Sequence, residues 1–142
     1  MKIIRHVSLI LPTALLAAGC ANFMGAENQR THNRQQLSLL HAGMAKEEVT
    51  RVMGNKEGSW CHASIFLVCI RSETLSNPYR TAGFEAQGRQ YEVLYYYTDE
   101  KVAEKAIVDD ELTPVLLEND KLVGWGRDLI EGTLKKYEIR MR

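Results

Sequence analysis

The chain has 142 residues, of which 45% are hydrophobic and 25% are charged, values typical of a single folded domain. They exclude a disordered tail, a fibre and a multi-domain assembly. The 18 basic and 18 acidic side chains give a formal net charge of zero, so no bulk positive field favours binding to nucleic acid.

The first 20 residues have the pattern of a secretory signal. Two basic residues precede an apolar run over residues 7–18, which is too short for the roughly 20 residues of a membrane-spanning helix. The run leads into the sequence Leu-Ala-Ala-Gly-Cys at residues 16–20, which resembles the lipobox of bacterial lipoproteins. The resemblance implies that residues 1–19 are removed and that Cys20 is lipidated. An ordinary secretion signal with a coincidental cysteine is the alternative.

The residue after the cysteine predicts the destination. Ala21 stands where an aspartate would retain an enteric lipoprotein in the inner membrane, so the resemblance implies the outer membrane, with the domain facing the periplasm. Several acyl chains on one cysteine would hold the protein at the membrane. Residues 20–36 are polar and almost without apolar period, which predicts a tether, and residues 37–142 are left as the folded domain.

Two short helices are predicted at the start of the domain. The first begins with the leucines near residue 37 and closes at Gly43, where positive φ suits glycine. The second covers about residues 45–53, and Gly54 ends it. Its apolar residues, spaced i, i+3 and i+4, are Val49, Val52 and Met53.

The pattern then becomes extended. Residues 60–70 and 91–98 are rich in β-branched and aromatic side chains and predict strands. Residues 114–118 and 122–125 predict a hairpin around residues 119–121, because Asn and Asp tolerate the left-handed conformation of tight turns.

Two further segments complete the chain. Residues 72–90 contain an Asn-Pro pair and two glycines, which predicts a long turn-rich connection of the kind that is often functional or mobile. Apolar residues recur at helical spacing between 129 and 141, which allows a C-terminal amphipathic helix.

A resemblance to a known family rests on the helix and hairpin motifs. Residues 40–54 resemble the Gly-Met-Ser/Thr-x-x-x-Val…Leu-Gly signature of small outer-membrane lipoproteins of the BamE (SmpA/OmlA) type, and residues 95–97 and 116–123 match that family's strand and turn. The similarity covers residues 37–126 and is that of a divergent member, since Ala45 replaces the helix-capping Ser or Thr. It implies an α+β fold with two short N-terminal helices on an antiparallel sheet of three or four strands. It also implies a non-enzymatic role in envelope assembly or maintenance, together with another envelope protein.

Two cysteines remain once Cys20 is assigned to lipid. On one straight strand, Cys61 and Cys69 would lie about 26 Å apart, whereas a disulfide needs Cα atoms within about 7 Å. The oxidising periplasm favours a bond, which requires a bend between them, and the alternative is that both are small core residues. A zinc site with His62 lacks the further ligands it would need, so no metal is expected.

No motif predicts catalysis or a cofactor. The sequences G-x-S-x-G, G-x-G-x-x-G and H-E-x-x-H are absent, and the acidic stretch over residues 99–111 lacks the ligand spacing of a calcium loop. We therefore expect neither catalytic residues nor a cofactor, and a solvated face for the acidic stretch.

Partner contacts are expected from aromatic and arginine side chains. The segments 77–80 and 124–127 combine both types with small residues, as interface anchors do, although a loop held by its own aromatic is the alternative. Strand alternation places Tyr95 and Tyr97 on one face and Tyr96 on the other. One set is expected in the core, and the second is either covered by the C-terminal helix or exposed as a binding patch. The candidate partner-binding residues are Tyr79, Arg80, Tyr96, Trp125 and Arg127.

A second function is a periplasmic ligand-binding or inhibitor-like module. It would use residues 72–90 and the aromatics of the sheet, since the helix-plus-sheet layout is similar to that of β-lactamase-inhibitor proteins. A deep apolar pocket lined by Tyr95 or Trp125 would favour this function. A flat sheet covered by a helix would not.

Overall fold

A computed structural model describes residues 25–55, 57–101 and 106–137, which form an α+β fold. The predicted signal over residues 1–19 and the lipidation site Cys20 lie outside the described residues. The helices within the described part are α1 (Gly25–Leu37), α2 (Lys46–Met53) and α3 (Arg127–Lys136). The strands are β1 (Gly58–Ile65), β2 (Val68–Leu75), β3 (Arg80–Ala86), β4 (Arg89–Tyr97), β5 (Leu112–Glu118) and β6 (Lys121–Trp125).

The strands form two antiparallel sheets. β1 and β2 pair as a hairpin of their own, and the other four strands follow each other in the order β3-β4-β5-β6. The α+β class and the antiparallel pairing are as predicted, and the separate two-stranded sheet is an addition.

One face of the four-stranded sheet packs against α2. Residue Ala45 precedes this helix without a side-chain cap, and Gly54 ends it at φ 75° with its N–H donating to the Thr50 carbonyl oxygen. The predicted second helix and its terminating glycine are thus confirmed. The buried residues of this face are Leu40, Met44, Val49, Met53, Leu94, Tyr96, Val115, Leu117 and Leu122.

The opposite face of the sheet packs against α3. Ile130 is buried there, and the Tyr91 and Tyr137 hydroxyl groups lie 3.2 Å apart. Of the two alternatives for the second set of tyrosines, the structure has the one in which the C-terminal helix covers them. The buried residues of this face are Tyr91, Val93, Tyr95, Tyr97, Leu112, Leu116 and Ile130.

The helix α1 corrects the predicted tether. Residues 25–36 are helical rather than a polar tether. The predicted first helix from residue 37 to Gly43 was wrong, because α1 ends at Leu37 and turns follow it. The buried residues of α1 are Gln29 and Asn33, so the helix is held by hydrogen bonds. The apolar period that identifies an amphipathic helix is therefore missing.

Two buried asparagines join α1 to the rest of the fold. The Asn33 side chain donates to the Asn77 side-chain oxygen at 3.0 Å and to the Tyr97 carbonyl oxygen at 2.9 Å. Asn77 in turn donates to the Met53 carbonyl oxygen at 2.9 Å, at the end of α2. Both side-chain amides have hydrogen-bond partners, as polar groups buried in a folded protein generally do.

The strand predictions were partly confirmed. β4 and the hairpin of β5 and β6 lie where expected, with Asn119 and Asp120 at φ 48° and 61° in the turn and Leu117 opposite Leu122. Residues 60–70 are not one strand, because a turn at residues 66–67 divides them.

The prediction of a long connection over residues 72–90 was wrong. This segment contains the end of β2, all of β3 and the start of β4, with a two-residue turn at Gln87 and Gly88. β3 is an outer strand whose side chains are exposed or only half buried, so it carries a weak hydrophobic signal.

Candidate interaction surfaces

The two arginines among the predicted partner-binding residues, Arg80 and Arg127, lie in one cleft. Arg80 Nη2 lies 2.9 Å from Asp109 Oδ1, while Arg127 Nη2 donates to the Asp109 carbonyl oxygen at 2.7 Å and lies 3.2 Å from Asp110 Oδ1. The short 3-10 turn before β5 therefore holds both guanidinium groups. We call this depression of about 280 Å³ the arginine cleft; it is lined by Arg80, Ala82, Tyr95, Asp109, Leu112, Pro114, Arg127, Ile130, Glu131 and Leu134.

Tyr95 forms the floor of the arginine cleft. The Arg80 guanidinium lies over its ring at 4.2 Å from the centroid. Burial raises the pKa of the Tyr95 hydroxyl above its ordinary value, which favours the neutral phenol beneath Arg80. The contact is a cation–π interaction, worth about 0.5–1 kcal/mol at an exposed site.

Trp125 lies at the edge of the sheet rather than in the arginine cleft. β6 is an outer strand, and Val123 and Trp125 on it are 39% and 38% exposed. The loop before α2 covers only the beginning of this strand, where the Gly43 N–H donates to the Leu122 carbonyl oxygen at 2.7 Å. Residues 123–127, from the exposed valine to Arg127, are named the Trp125 edge.

The two remaining predicted residues are less accessible. Tyr96 has no exposed surface and lies in the core on the α2 side, so its assignment to a partner-binding surface was wrong. Strand alternation separates it from Tyr95, but burial on both faces of the sheet leaves neither as an open patch. Tyr79 is half buried against the α3 side of the core, and its N–H donates to the Tyr95 carbonyl oxygen at 2.8 Å.

The hairpin of β1 and β2 carries the two cysteines. A disulfide joins Cys61 and Cys69, with Cα atoms 5.8 Å apart. The turn at residues 66–67 supplies the bend that such a bond requires. At the root of the hairpin Leu75 is buried, and the Gln29 side chain donates to the Ser76 carbonyl oxygen at 3.3 Å.

The far end of this hairpin is apolar and open to solvent. Phe66 and Leu67 are 96% and 93% exposed, and Ile65 and Val68 are 54% and 63% exposed. We call residues 65–68 the apolar tip. Sequence reasoning missed it, because four consecutive apolar residues are typical of a fully buried strand. Only the position of the turn reveals that they face solvent.

Comparison with known proteins identifies the family. A family model described as "Protein of unknown function (DUF3192)" matches residues 17–131, which include the hairpin, the Trp125 edge and the residues that line the arginine cleft except Leu134. The chain belongs to the DUF3192 family. No curated protein and no solved structure matches it significantly. The description of the DUF3192 family names no activity, so the resemblance to BamE-type lipoproteins stays a prediction.

A second cavity of the DUF3192 chain lies at the hairpin root. It has a volume of about 550 Å³ between α1, the end of α2 and the start of β1, and His32, Arg51 and Asn77 contribute to its lining. Within the described ranges, no three His, Cys, Asp or Glu side chains are grouped so that they could hold a metal ion. In the same part of the chain, no helix has the length and apolar character needed to cross a membrane.

Proposed function

We propose that this DUF3192 protein is a lipid-anchored component of the bacterial outer membrane. In this proposal its domain faces the periplasm, binds another envelope protein and contributes to envelope assembly or maintenance without catalysing a reaction. The lipobox at residues 16–20 supports the anchor. The disulfide between Cys61 and Cys69 fits an oxidising compartment such as the periplasm.

The observation that carries the binding role is the Trp125 edge. A tryptophan that is 38% exposed on an outer strand presents a large apolar surface with few internal degrees of freedom. Trp and Arg are the residues most enriched among interface hot spots, and Arg127 follows two positions later.

The arginine cleft supports the same role by fixing Arg127. Because Asp109 and Asp110 hold its guanidinium group, this side chain loses little further freedom when a partner binds. The paired charges also argue against an anionic small molecule as the partner, since the carboxylates already neutralise both arginines of the cleft.

The ligand-binding alternative has less support. Its proposed loop at residues 72–90 is made of strands, and α3 packs on the face of the sheet that carries Tyr95. The arginine cleft of about 280 Å³ is smaller than the roughly 300–1,000 Å³ of small-molecule sites. The larger cavity at the hairpin root is lined by neither Tyr95 nor Trp125.

Photo-crosslinking in living cells tests the binding role. Trp125 is replaced by benzoylphenylalanine, and in a matched control the exposed turn residue Gln87 is replaced instead. We expect an adduct with an envelope protein from position 125 alone. Trp125→Ala should weaken that complex about 30-fold or more, as loss of a hot spot of at least 2 kcal/mol does. Equal labelling from both positions, or none from either, would contradict the proposal.

The anchor is tested separately by mass spectrometry of the protein purified from membranes. We expect a chain that begins at Cys20 and carries acyl groups. A chain that begins elsewhere, or an unmodified Cys20, would show that the anchor is absent whatever the crosslinking result.

A further inference from the structure

We infer that the apolar tip of the β1–β2 hairpin is a second membrane contact, which inserts into the lipid surface beside the acyl anchor. The inference rests on the proposed anchorage at Cys20 and names the lipid bilayer as the partner of residues 65–68. It concerns a different surface from the Trp125 edge, and the two can act at the same time.

The composition of the hairpin fits a lipid surface. Residues 58–70 contain no Asp, Glu, Lys or Arg. Ile70 extends the apolar surface from the tip toward the root and is 59% exposed. The first charged residue beyond it is the exposed Arg71, whose cation would meet the anionic phosphates of the headgroups. An apolar end with a basic residue behind it is the order of groups that a membrane interface requires.

The conformation of the turn does not explain why Phe66 and Leu67 occur there. Phe66 and Leu67 occupy the two central positions at φ 48° and 68°, where Asn and Gly are preferred. The two turns of the four-stranded sheet have the same two-residue length and positive φ, but are built from Gln87 with Gly88 and from Asn119 with Asp120. Bulky apolar residues are unfavourable at such positions. Because both side chains are almost fully exposed, packing within the described residues does not account for them, whereas a contact outside the described fold would.

The position of the anchor relative to the hairpin points to lipid as that contact. The first residue of α1, Gly25, lies against the hairpin root, since a Cβ there would be 2.8 Å from the Ser59 carbonyl oxygen. Five residue steps separate Cys20 from Gly25, a reach of at most about 18 Å. From its root to Phe66 the hairpin extends about 26 Å at 3.3 Å per residue. The hairpin is thus longer than this tether of residues 20–25, so a hairpin that points toward the membrane reaches the bilayer.

The depth of insertion is limited by the strand edges. A two-stranded hairpin leaves backbone N–H and C=O groups unpaired on both sides, and these groups cannot enter the hydrocarbon core. Insertion of the four tip residues to the headgroup and acyl boundary, about 5–10 Å deep, leaves the edges hydrated. The disulfide between Cys61 and Cys69 keeps the two strands together behind the tip.

Fluorescence quenching of the lipidated protein tests the inference. Phe66→Trp places a probe at the tip, and Thr74→Trp places the control probe at an exposed position near the root. Both proteins are reconstituted in vesicles of phosphatidylethanolamine and phosphatidylglycerol with acyl-brominated phosphatidylcholine, and the wild-type emission of Trp60 and Trp125 is subtracted. We expect quenching at the tip to exceed that at the root about twofold or more, because an insertion depth of about 5–10 Å brings the probe to the bromine atoms.

A third variant distinguishes insertion of the tip into the bilayer from simple proximity of the tip to the lipid. Adding Leu67→Asp to the Phe66→Trp protein places a charge at the tip, and Asp tolerates the left-handed backbone of that position, so the fold should be retained. We expect its quenching to fall to the value of the root probe with an unchanged unfolding curve. Persistent quenching in this variant would overturn the inference, because it would show that the tether alone brings the probe to the lipid.

The outcomes are distinct from those of the proposed function. Acylated Cys20 with an unquenched tip probe would refute the membrane contact and leave the anchor intact. If benzoylphenylalanine at position 66 then formed an adduct with a protein in cells, the tip would belong to a protein interface instead. Unacylated Cys20 would refute the proposed anchor itself.

Discussion

The β1–β2 hairpin and the four-stranded sheet are both antiparallel, yet they are stabilised in opposite ways. The sheet is covered by α2 on one face and by α3 on the other, so residues 93–97 of β4 are all buried in succession. The hairpin has a buried root at Leu75, a disulfide between its strands and an exposed tip.

Strand pairing alone is therefore insufficient to stabilise either region. An isolated hairpin is marginal in water, and additional strands or packing against a helix are needed for independent stability. The sheet has both. The hairpin contacts α1 at its root, where the Gln29 side chain donates to the Ser76 carbonyl oxygen, and a disulfide joins its two strands. Its apolar tip is exposed and therefore available for contact with another surface. Three sets of substitutions test this contrast between the hairpin and the sheet.

The largest effect is expected from truncation in the sheet. Leu117 is completely buried between β4, β6 and α2, so Leu117→Ala should lower the free energy of unfolding by about 2–5 kcal/mol. Val68 in the hairpin is 63% exposed, and Val68→Ala should change the stability by at most about 0.5 kcal/mol. Urea unfolding of the two variants measures both effects. Similar losses would show that the hairpin has a core of its own.

An intermediate and local effect is expected from removal of the disulfide. The bond closes a loop from Cys61 to Cys69, which corresponds to about 2–3 kcal/mol in the chain-entropy model. In the double variant Cys61→Ser and Cys69→Ser, amide hydrogens of β1 and β2 should exchange faster. The amides of β4 provide the internal control and should keep their protection. Faster exchange in β4 as well would mean that the hairpin and the sheet unfold together.

The smallest effect is expected at a buried hydroxyl group in the sheet. Tyr96 Oη has no hydrogen-bond partner among the described residues, so Tyr96→Phe should be neutral or stabilising by up to about 1–2 kcal/mol. The matched control is Tyr91→Phe, which removes the hydrogen bond to the Tyr137 hydroxyl and should cost about 0.5–1.5 kcal/mol. Thermal unfolding compares the two, and a larger loss at position 96 would reveal a partner for its hydroxyl group.

The Tyr96→Phe variant should also differ from the wild type at high pH. Burial raises the pKa of Tyr96 above the ordinary tyrosine value of about 10, and the folded state therefore favours the neutral phenol. The contribution of the neutral Tyr96 phenol to the free energy of unfolding is fully present below about pH 10. It is lost as the pH rises above that value, because the unfolded chain then gives up the proton more readily than the folded one. Tyr96→Phe should consequently unfold at a higher pH than the wild type.

Elements with a strong local pattern could be predicted from the sequence. The helix at residues 46–53 has an apolar stripe and a terminal glycine, and the turn at Asn119 and Asp120 has residues that tolerate positive φ. The alternating tyrosines of β4 and the apolar period of α3 could also be recognised in the sequence. In each case the residues that form the element also determine its conformation, so neighbouring positions are sufficient evidence.

Elements that depend on distant residues could not be predicted in this way. The helix α1 is held by Asn33 and Asn77, which are 44 positions apart, and its polar sequence therefore resembled a tether. The arginine cleft likewise needs Asp109 to meet Arg80 and Arg127 from three separate segments.

The lipobox pattern, the α+β class and the aromatic and arginine residues available for contact could be identified without the structure. Which of these residues are accessible depends on how the chain packs. Tyr96 and Phe66 are both aromatic residues in apolar runs, but one lies between a sheet and a helix and the other at a free turn. Burial depends on what packs against a side chain, and that partner is set by the path of the whole chain rather than by adjacent residues.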